Sequence, residues 1–209
     1  MAISLGMLIF LLKGLVLGFS IAAPVGPVGL LCIRRSLIAG RMAGLATGLG
    51  AATADACYGA VAGFGLTGIT SFMVVERFWF TLLGGLFLCA LGVHIMRAHP
   101  NLSAARRGGP QVHSAYLSAL LITLTNPMTI LAFVAAFAGL GLAVARDYLA
   151  ATALVVGVFV GSGLWWLFLS AFAARLRDRF DPRWLRRVNW ISGVLLLAVG
   201  LGALASLRR

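Results

Sequence analysis

Asp55 is the one carboxylate that falls inside an apolar run of this chain, in Ala51-Ala52-Thr53-Ala54-Asp55-Ala56-Cys57-Tyr58. At mid-bilayer depth a charge costs about 2.5–3.5 kcal/mol on insertion scales, so such a group faces the bundle interior and a partner rather than lipid. The chemistry open to it is that of a counter-charge for a substrate amine, a proton carrier, or both. Two further stretches could act with it. Ala22-Ala23-Pro24-Val25-Gly26-Pro27-Val28-Gly29 lies inside an apolar run of membrane-spanning length, yet its prolines and glycines cannot continue an ordinary helix. Pro27 suits the first position of a new half-helix, whose free amides would face an anionic group across a cavity. Thr125-Asn126-Pro127 repeats the pattern, with Asn as N-cap, Pro as first helical residue, and the hydroxyls of Thr123 and Thr129 nearby. Two positive half-helix ends and one carboxylate suit a zwitterion: its carboxylate at the amides near Gly26-Pro27 or Asn126-Pro127, its amine at Asp55.

The elements that must position these groups are membrane spans. Of the 209 residues 61% are hydrophobic and only 11% charged, against about 25% charged in a soluble domain. Mean hydropathy is +1.03. The formal net charge of +12 would suggest nucleic acid in a soluble chain, but here the arginines sit in short loops between apolar runs, which excludes that reading. Six apolar segments follow, at about Leu5–Ile33, Met42–Leu66, Phe78–Met96, Val112–Val144, Tyr148–Ala174 and Val188–Leu207. The first is too long for a secretory leader and lacks a basic start, so it counts as a span.

Twelve arginines fall in the first, third and fifth connections and four on the opposite side, Arg34, Arg35 and Arg41 making up the first connection. The positive-inside bias then places both termini outside. Trp79, Trp184 and Trp190 suit the interfacial belt. Segments one to three (about 1–97) and four to six (about 112–209) form two halves of a single transmembrane domain, joined by a loop at about 97–111. Each half opens on a proline-broken segment, and three spans per half make the repeat inverted, which points to a midplane site. The expected fold is therefore an all-α integral membrane protein of six helices, the first and fourth broken at prolines. Aligning Pro27 with Pro127 sets Val155 opposite Asp55.

Gly40, Gly44, Gly48, Ala52, Ala56 and Ala60 make a smooth stripe on the second span that carries Asp55 into a helix interface; the same stripe could serve a homodimer. Lys13 is expected to snorkel to the outer surface, with a long reach to Asp55 as the alternative. Tyr58, Trp165 and Trp166 are read as packing. So are Cys32, Cys57 and Cys89, which lie in apolar runs as buried thiols without metal or C-x-x-C spacing. The three histidines, at loop edges, form no ligand cluster. No metal, cofactor, nucleotide motif or grouped catalytic residues are expected, so the chain is not read as an enzyme. A divalent-cation transporter needs more oxygen ligands than one carboxylate, and a scaffold would not need an acid beside two broken helices.

Ala23-Pro24-Val25-Gly26-Pro27, then Arg35 to Leu45, then Gly48-Leu49-Gly50 and Asp55, resemble the LysE family of bacterial amino-acid exporters, as does Thr125-Asn126-Pro127. Val25 is inserted in a motif that is usually Pro-Gly-Pro there. The resemblance implies six spans, an inner-membrane location and efflux of an amino acid driven by the proton gradient or membrane potential. It carries Pro24, Gly26, Pro27, Asp55, Asn126 and Pro127 over as substrate-site residues. The expected partners are thus a small zwitterionic or cationic amino acid, a coupling proton or cation, and the lipid bilayer.

Overall fold

The computed structural model describes residues 2–24, 26–64, 72, 75–97, 109–126, 129, 132–133, 148–176 and 182–207. All regular structure among them is helical: α1 (Ala2–Ala22), α2 (Pro27–Ala39), α3 (Arg41–Gly63), α4 (Arg77–Arg97), α5 (Gly109–Leu124), α6 (Tyr148–Arg175) and α7 (Pro182–Ser206). Among the described residues, three helices, in α4, α6 and α7, are long and apolar enough to cross a bilayer, and the pair α1–α2 makes a fourth if its two parts are one span. The outer surface carries large apolar side chains, such as Leu83 and Leu86 on α4, Leu164, Phe168 and Phe172 on α6, and Trp190, Ile191 and Leu201 on α7. Apolar exposure on that scale suits a bundle whose solvent is lipid. Trp79 and Trp190 lie on this outer surface; the side chain of Trp184 lies outside the described residues.

The break between α1 and α2 is made as the proline chemistry requires. The Ala23 amide donates to the Phe19 carbonyl at 3.0 Å and closes α1. Gly26 is extended (φ −98°, ψ −163°), Pro27 takes the first helical position, and the Leu30 amide donates to the Gly26 carbonyl at 3.0 Å. The two axes differ by 79°. Gly40 alone joins α2 to α3, at φ 92°, a left-handed conformation that favours glycine.

Helix α3 runs through the middle, packed by α2, α5 and α6. Its small residues allow this. A Cβ on Gly48 would overlap the Trp166 side chain, and one on Gly44 would overlap Ser36. Helices α1 and α6 approach still more closely. Gly14 and Gly18 face the backbone of Leu154 and Val158, while Gly157 and Gly161 face the backbone of Leu11 and Leu15. Small residues four apart on both partners let the two backbones touch. Helices α4 and α7 form a further pair.

One expectation fails at the start of α3. Arg34 and Arg35 are not loop residues but part of α2, since the connection is Gly40 alone. Arg34 Nε donates to Asn189 Oδ1 on α7 at 2.6 Å. Arg35 donates to Thr47 Oγ1 on α3 at 2.9 Å, to the Ala115 carbonyl at 3.0 Å and to Ser118 Oγ on α5 at 2.8 Å. A guanidinium fork can serve several acceptors at fixed angles, and an ammonium cannot reproduce that geometry. Hydrogen bonds to charged groups contribute about 1.5–3 kcal/mol each. Arg35→Lys should therefore lower the melting temperature in detergent by several degrees although the charge is kept; an unchanged melting curve would show that the fork does not hold α2 to α3 and α5.

The cysteines divide. Cys32 is buried, Cys89 is half-buried, and Cys57 faces outward instead of packing in the interior. Cys57 follows Asp55 by two positions, which on a helix turns it to the far face of α3.

Candidate functional site

Asp55 is 3% exposed and lies between α3 and α6. Its Oδ2 accepts a hydrogen bond from Ser162 Oγ at 2.7 Å, and Ser162 Oγ accepts one from Trp166 Nε1 at 3.1 Å. The carboxylate is thus turned into the bundle and held by a short chain of donors one helical turn apart on α6. Lys13 is not part of this arrangement: it is exposed on α1, its Nζ 5.6 Å from the centroid of the Phe10 ring. The reach from Lys13 to Asp55 is not made.

Asp55 opens on a cavity of about 400 Å³ whose walls include Ile21, Ala22, Pro24, Gly26, Pro27, Val28 and Gly29 from the first break, Thr123, Asn126 and Thr129 from the second, and Ala51, Trp166 and Val199. Five of the six residues expected to form the site, Pro24, Gly26, Pro27, Asp55 and Asn126, therefore border one space. Pro127 lies outside the described residues.

Both breaks supply residues to the wall of this space. The last turn of α1 ends with Ile21 and Ala22 at the wall, and the first turn of α2 brings Pro27, Val28 and Gly29 to it. The last carbonyls and first amides of a helix have no partner within it, so a partial negative and a partial positive end meet here. At the second break α5 stops at Leu124, the Asn126 amide donates to the Thr123 carbonyl at 3.2 Å, and the Thr129 amide donates to the Asn126 carbonyl at 3.1 Å.

Tyr58 explains how the broken end of α5 is tolerated. Its hydroxyl donates to the Leu124 carbonyl at 2.7 Å, and the Thr123 carbonyl lies 3.3 Å away. Tyr58 follows Asp55 by three positions, so one face of α3 carries both the carboxylate at the cavity and the hydroxyl that receives the frayed carbonyls.

Ser162 and Trp166 are the residues sequence reasoning missed. Val155, the counterpart of Asp55 in the second half when the two prolines are aligned, carries no acid; the α6 residue that meets Asp55 is Ser162, two turns further on. Trp166, read as packing, also borders the cavity; Trp165 packs, edge-on to Phe19 at 5.5 Å between centroids. A serine flanked by two glycines at mid-span, Gly161-Ser162-Gly163, was the available signal.

Comparison with known proteins bears on what such a cavity does. The pattern of the LysE type translocators matches residues 19–206. The chain is 31% identical over 193 residues to the "Putative amino acid efflux protein YcgF" of Bacillus subtilis (strain 168), across 90% of this chain and 92% of that protein. No solved structure matches.

Proposed function

The chain belongs to the LysE type translocator family, and from that premise we propose that it is a multi-pass membrane transporter that exports a small zwitterionic or cationic amino acid from the cytoplasm. The observation that carries this reading is the single cavity shared by Asp55, the α1–α2 break and Asn126. The substrate carboxylate goes to the amide end of α2 or to the Asn126 turn, and the ammonium goes to Asp55, beside the carbonyl end of α1. Binding and release follow the charge state of Asp55, which makes the proton or the membrane potential the driving force.

Alternating access by two inverted halves fits the packing. If α1–α2, α3 and α4 form one half and α5, the segment after it, α6 and α7 the other, exchanging the halves turns the α1–α6 contact into the α5–α3 contact. It returns α3–α6 and α4–α7 to themselves, and all four pairs pack. In this arrangement α3 and α5 supply the remaining spans, and one half rocks against the other around the cavity. Helix α3 can be rich in glycine and alanine because neighbouring helices, not lipid, cover most of it. The protein would reside in the inner membrane with both termini outside, on the bias of the remaining loop arginines.

The test is counterflow of labelled amino acids into proteoliposomes of the purified protein. Exchange of at least one amino acid above protein-free vesicles is expected; no exchange with any would refute export.

A further inference from the structure

We propose that the exported molecule is an α-amino acid with an uncharged, apolar side chain, selected by the wall that Ala22, Val28, Ala51 and Trp166 form. This rests on the export reading and narrows it, since that reading leaves cationic amino acids open.

The charge pattern comes first. Of the five acids in the chain, Glu76, Asp147, Asp178 and Asp181 lie outside the apolar segments, and Asp55 alone lies inside one. A zwitterion brings one positive group for Asp55 and one negative group for the amide end of α2. The side-chain charge of a cationic amino acid would be a second positive group. It would meet either apolar carbon or the partial charge of helix carbonyls, and a buried ion without a full partner is strongly disfavoured.

The distribution of wall chemistry comes second. Among the described residues the polar ones at the wall are Asp55, Thr123, Asn126 and Thr129. Ala22, Val28, Ala51 and Trp166 are all buried and belong to one continuous apolar cluster with Leu169 and Leu196, so this wall is the edge of the core. The polar atoms of Trp166 and of Ser162 beside it are already engaged. The Trp166 indole N–H is given to Ser162, and the Ser162 hydroxyl to Asp55. At Trp166 the wall therefore offers ring carbon and no spare donor to a hydroxyl or amide side chain.

Size comes third. A volume of about 400 Å³ is near the lower end for small-molecule pockets, about 300–1,000 Å³. It holds a zwitterionic head and leaves room for a side chain along the apolar wall. Each methylene buried there is worth about fourfold in affinity, so valine, leucine and phenylalanine gain over alanine, and glycine gains nothing.

The experiment is competition in proteoliposome counterflow, with glycine, alanine, serine, valine, leucine, phenylalanine and lysine as probes. Half-saturation for leucine or valine at least about tenfold below that for alanine is expected, with serine no better than alanine and lysine at the level of empty vesicles. Lysine exchanging as well as leucine, or serine and alanine outranking leucine, would overturn this inference and leave amino-acid export standing. Exchange of none of the seven would overturn this inference, whereas export itself falls only if no amino acid of the full counterflow panel exchanges. Ala51→Val should move the preference from leucine toward alanine. If that variant does not fold, Val28→Ala should move it toward phenylalanine. A ranking unchanged in the folded variant would overturn the assignment of the wall.

Discussion

Asp55→Asn is expected to abolish uphill export and to leave the fold in place. The asparagine amide has the size of the carboxylate, and its oxygen still accepts from Ser162, which bonds Asp55 at 2.7 Å. What is lost is the full negative charge. A unit pair at about 4 Å is worth about 4 kcal/mol at an effective dielectric of 20, whereas a helix end contributes about 0.3–1 kcal/mol, and up to about 2 in buried geometry. The dipoles at the breaks cannot replace the carboxylate. Accumulation driven by a pH gradient should fall by at least about 100-fold, with the melting temperature in detergent shifted by only a few degrees. Undiminished uphill transport by the variant would remove Asp55 from the mechanism.

The second large effect is structural, and it separates two glycines on one helix. Gly161→Val should prevent assembly, whereas Gly163→Ala should be tolerated. A Cβ on Gly161 would overlap the Leu15 carbonyl oxygen and come within 3.0 Å of the Leu15 Cα, which are backbone and cannot rotate away; Gly163 has open space at the same position. Overpacking a fitted site costs about 1–3 kcal/mol and sometimes more. A rigid backbone puts Gly161→Val at or above the top of that range, because α1 must separate from α6 along its length. Gly163→Ala should stay within about 1 kcal/mol of the parent, the scale of the helix-propensity difference. Thermal melting with size-exclusion recovery in detergent distinguishes the two. Equal recovery of both would mean that the α1–α6 contact is not the tight one described.

What could be read from the sequence was whatever local chemistry dictates. Pro27 starts a half-helix because its missing amide and fixed φ suit that position alone. Asp55 faces inward because lipid would not accept it. Gly48 marks a helix contact because nothing larger fits there. What could not be read were the matches between helices. Ser162 meets Asp55 through the register of α6 on α3, which helical periodicity does not supply. Gly157 and Gly161 form half of the backbone-to-backbone contact between α1 and α6, yet they pass unnoticed in an apolar run. Arg34 and Arg35 looked like loop charges because a basic pair after an apolar run usually is one. Their acceptors, Asn189, Thr47, Ser118 and the Ala115 carbonyl, are spread over three other helices.

The most direct test of the central claim, that an amino acid occupies the space between the two breaks, is protection of a thiol placed there. Thr129 borders the cavity, and Thr129→Cys is a small change. In a background with Cys32, Cys57 and Cys89 replaced, its alkylation rate by a maleimide is measured with and without a saturating amino acid that the protein exchanges. Slowing by at least about fivefold, absent with an amino acid that is not exchanged, is the expected result. A thiol that reacts at the same rate with and without the exchanged amino acid would place the substrate elsewhere and contradict the account.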